Sequence, residues 1–214
     1  MIRKFLMLSL LGVSTVAFSQ KIIVTPSFGF GWRTAKMPDG ISPQEREYLR
    51  NLKSGTNFDI SAAYIIKGAI GLGAKFSVYS ASSTTNYVVN NGFGNSISMG
   101  LRTKDNITYI GPALVVSNLT EETRHKLLLN VSLGYMSYNT TTNGIEGTGG
   151  TLGAELDAAY QYQINQNLFI GPKLGLSGGT LNKMKFDGVT YEFDDEEKEG
   201  LQRVSLSAAV TFRF

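Results

Sequence analysis

From Lys21 onward the chain repeats one pattern, stretches of roughly ten residues in which apolar positions alternate with small or polar ones. A period of two puts the two sets on opposite faces of a strand. In the first stretch Ile22, Val24, Phe28, Phe30 and Trp32 stand opposite Thr25, Ser27, Gly29, Gly31 and Arg33. In the second, Phe58, Ile60, Ala62, Tyr64 and Ile66 oppose Asn57, Asp59, Ser61 and Ala63, and after a turn at Lys67-Gly68 the third sets Leu72, Phe76 and Val78 against Gly71, Gly73, Lys75 and Ser77. A fourth, less clean stretch covers residues 106–116, and the fifth alternates Leu127, Leu129, Val131, Leu133 and Tyr135 with Lys126, Asn130, Ser132 and Gly134. The sixth opposes Leu152, Leu156, Tyr160 and Tyr162 to Gly153, Glu155, Asp157 and Gln161; the seventh opposes Leu168, Ile170, Leu174 and Leu176 to Gly171, Lys173, Gly175 and Ser177. The eighth alternates Val204, Leu206, Ala208, Val210, Phe212 and Phe214 with Arg203, Ser205, Ser207, Thr211 and Arg213.

The second face decides how these strands are used. It is mostly Gly, Ser, Ala and Thr with a few charges, too small to make a water-exposed coat around an apolar core. Turning the large apolar face to lipid and the small polar face to a narrow lumen fits better. An even number of such strands, with short turns alternating with long connections, predicts an all-β fold: an eight-stranded antiparallel up-and-down transmembrane β-barrel with long extracellular loops. Closure pairs every backbone group, as hydrocarbon requires. A secreted soluble barrel of lipocalin type is the competing architecture. The short connections are Lys67-Gly68, 117–123 and 163–167; the long ones are 34–56, 80–105, 139–150 and 178–199. Outward aromatics gather near the strand ends, with Phe30 and Trp32 at the outer rim and Tyr64, Tyr160, Tyr162, Phe212 and Phe214 at the inner, as two interfacial girdles. Pro26, Pro112 and Pro172 are expected near strand ends or bulges, because Pro removes a ladder donor.

The first residues carry an address. Arg3 and Lys4 precede an apolar run over residues 5–18, and Ala17 and Ser19 occupy the small-residue positions of a secretory cleavage site. Residues 1–19 are therefore read as a cleaved signal peptide and 20–214 as the barrel domain. Without Arg3 and Lys4, the 20 Lys+Arg fall to 18 against 17 Asp+Glu, so no nucleic-acid partner is expected. The absence of Cys excludes disulfide scaffolds and thiol chemistry. With 22 Phe and Tyr together and only 17% charged residues, the 214-residue chain is also unlike a disordered one.

The C-terminal stretch 204–214, VSLSAAVTFRF, alternates and ends on an aromatic, and Ile110-Gly-Pro-Ala-Leu114 and Ile170-Gly-Pro-Lys-Leu174 share a strand phrase. On these residues the mature chain resembles the small outer-membrane β-barrel proteins of Gram-negative bacteria, the porin-like barrels often labelled PorT-like. The resemblance implies location in the cell outer membrane, and the barrel-assembly machinery as a partner during insertion, with Phe212 and Phe214 as its assembly signal. It does not imply an activity, since the same barrel hosts many functions.

Candidate chemistry is sparse. Arg33, Asp59, Lys75, Glu155, Asp157, Lys173 and Arg203 point into the lumen and form a structural charge network; Lys126 and Arg213 add to the positive side. Glu155 and Asp157, two apart on one face, are also the spacing for acid/base work, but buried charges need partners in any case. The lone His125 lies by a short turn, which excludes His-pair metal sites. No catalytic, cofactor-binding or metal residues are assigned, and no cofactor is expected. In the first long connection Ser42-Pro-Gln-Glu45 is a capping box that predicts a short helix with Tyr48, Leu49 and Leu52 on one side. In the fourth, a hairpin is expected to turn at Asp187-Gly188, ahead of an acidic run over 194–199. Tyr48, Leu52, Phe186 and Tyr191 are the loop contact candidates. The resulting expectation is a non-enzymatic integral outer-membrane barrel with a structural or surface-interaction role, in contact with membrane lipid, lipopolysaccharide and an extracellular or envelope partner. A small-solute channel leaning towards anions is the alternative, and a rim-located enzyme the third reading.

Overall fold

The computed structural model describes residues 21–35, 37, 40–90, 96–194 and 198–214. The leader expected at 1–19 lies outside the described residues, as do positions 195–197 of the acidic run. The chain order is β1 (Ile22–Arg33), α1 (Pro43–Lys53), β2 (Ser54–Lys67), β3 (Ile70–Asn90), β4 (Ser96–Ser117), β5 (His125–Thr142), β6 (Ile145–Asn165), β7 (Leu168–Leu181), β8 (Lys183–Phe186), β9 (Val189–Glu192), β10 (Glu199–Gly200) and β11 (Arg203–Arg213). β1 to β7 pair antiparallel in succession, β7 pairs with β11, and β11 pairs back onto β1 from Ile23↔Arg213 to Arg33↔Arg203. The result is the expected closed ring of eight strands. The ring carries an exposed apolar belt that includes Phe28, Leu72, Leu133, Leu152 and Leu174, and the aromatics expected in the two girdles are exposed near its ends.

Above the belt the structure differs from the expected loops. β3 and β4 reach 21 and 22 residues, and residues 80–105 are largely strand, paired from Ser80↔Asn106 to Asn90↔Ser96. Residues 139–150 likewise continue β5 and β6 up to Thr142↔Ile145, closing on Asn143 (φ 49°) and Gly144 (φ 90°), the left-handed pair of a tight hairpin turn. Once the strands leave lipid, their outward side chains need not be apolar. The alternation fades there while the backbone ladder continues.

The prolines also depart from expectation. Pro26, Pro112 and Pro172 stand mid-strand, and the register shifts lie elsewhere, at Ile65/Lys67 and Gln163/Asn165. Each proline interrupts only one of its two ladders without changing register; on the other side Pro26 faces Ile60, Pro112 faces Ala74 and Pro172 faces Ala208. A closed sheet tolerates this because a proline lacks a single N–H, which serves one neighbour. Close strand approach is set by inward glycines: a Cβ on Gly73 would fall 1.9 Å from the Ala62 carbonyl oxygen, and one on Gly171 2.0 Å from that of Tyr160.

The lumen is filled in three layers. At the short-turn end Ile23, Ile65, Val115, Leu119, Leu128 and Phe169 form an apolar floor. At the other end Tyr79, Ile107, Tyr109, Met136, Tyr138, Leu181, Met184 and Leu201 form an apolar cap. The charged residues lie between.

Candidate functional site

The middle layer is a charge-balanced network. Lys75 on β3 reaches across the lumen to β6, with Nζ 2.8 Å from Glu155 Oε2 and also on Asp157 Oδ2. Lys173 on β7 bonds Asp59 on β2 and lies 3.9 Å from Asp157 Oδ2. Arg203 on β11 pairs with Glu155 and donates to the Ser77 hydroxyl at 2.8 Å, which in turn donates to Glu155 Oε1 at 2.7 Å. Ser27 donates to the second oxygen of Asp59 at 2.6 Å. Three cations thus meet three carboxylates, all buried between apolar layers, where an unpaired charge would be costly. The space left among them is about 10 Å³, lined by residues including Asn57, Asp59, Lys75, Glu155 and Arg203. That is room for one water at most.

Arg33 belongs to a separate group near the outer rim. Its guanidinium lies 3.5 Å from Asp105, pairs with Glu199, donates to the Gly200 carbonyl at 2.9 Å and sits 5.4 Å from the Tyr138 ring centre. Sequence reasoning missed Asp105 and Glu199, which it left in connections; the inward period of β4, continued upward from Tyr109 through Ile107, was the available signal. The remaining inward cations have no carboxylate partner among the described residues. Lys126 is directed at the Asn118, Leu119 and Glu121 carbonyls of the short turn, and Arg213 donates to Leu119 O at 2.7 Å and Gln166 O at 2.6 Å. Both lie over the Phe169 ring. The positive excess therefore closes the periplasmic end.

The helix α1 has the expected capping box: the Ser42 hydroxyl accepts from Glu45 N at 3.2 Å, and Ser42 N donates to the Glu45 carboxylate at 2.8 Å. That backbone bond holds the exposed Glu45 carboxyl below its ordinary value. Tyr48 and Leu52, expected among the loop contact residues, are buried instead: the amphipathic helix turns them onto the barrel mouth, where Tyr48 bonds Thr103 and the Tyr79 hydroxyl donates to Leu52 O at 3.3 Å. The β8–β9 hairpin turns at Asp187-Gly188 and extends the sheet beside β6, with Gly147↔Phe186 and Thr148↔Lys185. Phe186 packs against the apolar cap, edge-on to Tyr191, which is exposed. Together with Glu192 and Phe193 they line an open concavity of about 410 Å³. At the opposite end His125 faces outward on β5, with Nδ1 2.6 Å from the Tyr160 hydroxyl and its ring packed between Tyr160 and Tyr162. Phe212 and Phe214 stack at 6.5 Å, and Phe214 N donates to Ile22 O at 2.8 Å where the ring closes.

A closed antiparallel ring with a lipid-facing apolar belt, aromatic girdles and hairpins long at one end and short at the other is an integral outer-membrane β-barrel. Neither a protein-family profile nor a curated protein sequence matches the chain. Solved structures do. Neisserial surface protein A aligns over 90% of this chain and 97% of its own at 15% identity, with a TM-score of 0.57. A major outer membrane protein from Thermus thermophilus aligns over 92% and 100% at 12% identity, with a TM-score of 0.50. The Escherichia coli outer membrane protease OmpT is also similar, over 91% and 97% at 9% identity, with a TM-score of 0.47. At these identities the likeness to the first two supports the fold of the chain and nothing beyond it.

Proposed function

We propose that this barrel is a non-enzymatic surface protein that acts through its extracellular hairpins. The observation that carries the reading is the filled lumen: an apolar floor, a neutral charged layer with about 10 Å³ of free space, and an apolar cap covered by α1. Among the described residues this filling supports a plugged barrel over the anion-leaning channel. It also holds Glu155 and Asp157 against cations, which supports a structural role for both carboxylates. The exposed chemistry lies outside, above all at Tyr191 and the concavity it shares with Phe186 and Phe193, where an envelope or extracellular partner would dock. The exposure of Phe212 and Phe214 beside the closing seam supports their reading as the signal for the barrel-assembly machinery.

Planar-bilayer recording of the purified protein should give no discrete conductance steps. Replacing residues 183–192 by a short turn should leave a heat-modifiable barrel while changing cell–cell aggregation, adhesion to coated surfaces or detergent resistance of the envelope. Stable anion-selective steps, or a hairpin deletion without effect in all three assays, would overturn the proposal.

A further inference from the structure

A second concave feature lies on the outside of the barrel, immediately above the lipid-facing belt. It is a groove of about 960 Å³ crossing the outward faces of β1 to β5. The ladders place Trp32 beside Ser54, Thr56 beside Ser80, Ser82 beside Lys104 and Lys104 beside Thr141. Small hydroxyl side chains therefore make the floor. One wall is aromatic, with Phe30 and Trp32 exposed and continuous with the belt below. The other wall is basic, formed by Arg102 and Lys104, both exposed and without an ion-pair partner among the described residues. Among the described residues no Asp or Glu lines the groove. Its basic wall is also held in place: Arg102 N donates to Asn143 Oδ1 at 2.9 Å, Asn143 N donates back to Arg102 O at 3.0 Å, and Asn143 Nδ2 donates to Gly100 O at 2.9 Å.

We infer that this groove seats the phosphorylated sugar headgroup of an outer-leaflet glycolipid, the lipid A part of lipopolysaccharide. Height in the membrane supports that occupant. Tryptophan at the end of an apolar belt marks the interface, so the groove opens where headgroups lie. Charge supports it as well: a guanidinium and an ammonium two residues apart on one strand face match anionic phosphate oxygens, with the guanidinium able to bind two at once. Size and lining complete the match. A broad, hydroxyl-lined floor fits a sugar, and the aromatic wall continues downward into the surface that acyl chains cover. The inference is independent of the surface-contact reading, since it concerns a different face.

The test uses the whole barrel protein in phosphatidylcholine nanodiscs doped with bisphosphorylated lipid A, with dephosphorylated lipid A or with phosphatidylglycerol. Binding is read from the fluorescence of Trp32, the single tryptophan, and from thermal stability. Bisphosphorylated lipid A should bind saturably, and R102Q/K104Q should weaken it roughly ten-fold or more. R46Q/R50Q, which removes two helix cations outside the groove, should leave it unchanged. Equal binding by R102Q/K104Q overturns the inference, as does equal response to dephosphorylated lipid A or to phosphatidylglycerol. Because both groove substitutions are on exposed side chains, retained heat-modifiability shows that a lost response is not a lost fold.

Discussion

Replacing Lys75 by Met tests whether the lumen network is a balanced unit. Lys75 is the bridge between Glu155 and Asp157, and its side chain is 2% exposed against 3% and 8% for theirs. The native layer sums to zero, with Lys75, Lys173 and Arg203 against Asp59, Glu155 and Asp157. The substitution leaves one uncompensated negative charge between two apolar layers. Removing one partner of a buried pair costs roughly 3–5 kcal/mol, because the other charge stays desolvated. Here Glu155 keeps Arg203 and Asp157 keeps Lys173 at 3.9 Å, which places the expected loss near the lower bound, about 3 kcal/mol. That is about a hundred-fold in the folded-to-unfolded ratio. Urea titration in detergent micelles, followed by Trp32 fluorescence and by the gel shift between folded and boiled protein, reads this directly. K75M/D157N restores neutrality with two cations against two carboxylates and should recover at least half of the loss. A K75M barrel within about 1 kcal/mol of the wild type, the ordinary range for exposed pairs, would refute the argument. So would a double variant no more stable than K75M.

Three further outcomes follow from other parts of the barrel. Gly171→Val places side-chain carbons on the Tyr160 carbonyl, 2.0 Å from the Cβ position, and should cost at least about 1–3 kcal/mol, seen as loss of the heat-modifiable form. Tyr48→Ala removes the buried anchor of α1 and its bond to Thr103, so limited proteolysis should cut near residues 34–54 many times faster while the barrel itself survives. Because the Glu45 carboxyl is held below its ordinary value, its cap contributes fully above that ordinary value and is lost as pH falls through the lowered one. Protection factors for hydrogen exchange in α1 should therefore fall more steeply on acidification than in E45Q.

The sequence by itself determined the strand faces, the number of strands in the ring and the helix cap. Each is a local consequence: side chains alternate along any strand, lipid demands apolar residues on one side only, and Ser42 and Glu45 satisfy each other within one turn. Lys75 and Glu155 were readable as inward for the same reason. Their pairing was not, because residues that meet across a lumen are set by the stagger between strands far apart in sequence. The same stagger decided that Ile65, Leu128 and Phe169 gather in one floor and Tyr79, Met136 and Leu181 in one cap, below and above the charged layer. Tertiary structure alone also turned residues 80–90, 96–105 and 139–150 from loops into paired strands and set Arg102 and Lys104 beside a groove with Trp32. Beyond the membrane only backbone pairing and closure constrain the chain, and neither leaves a hydrophobic pattern to read.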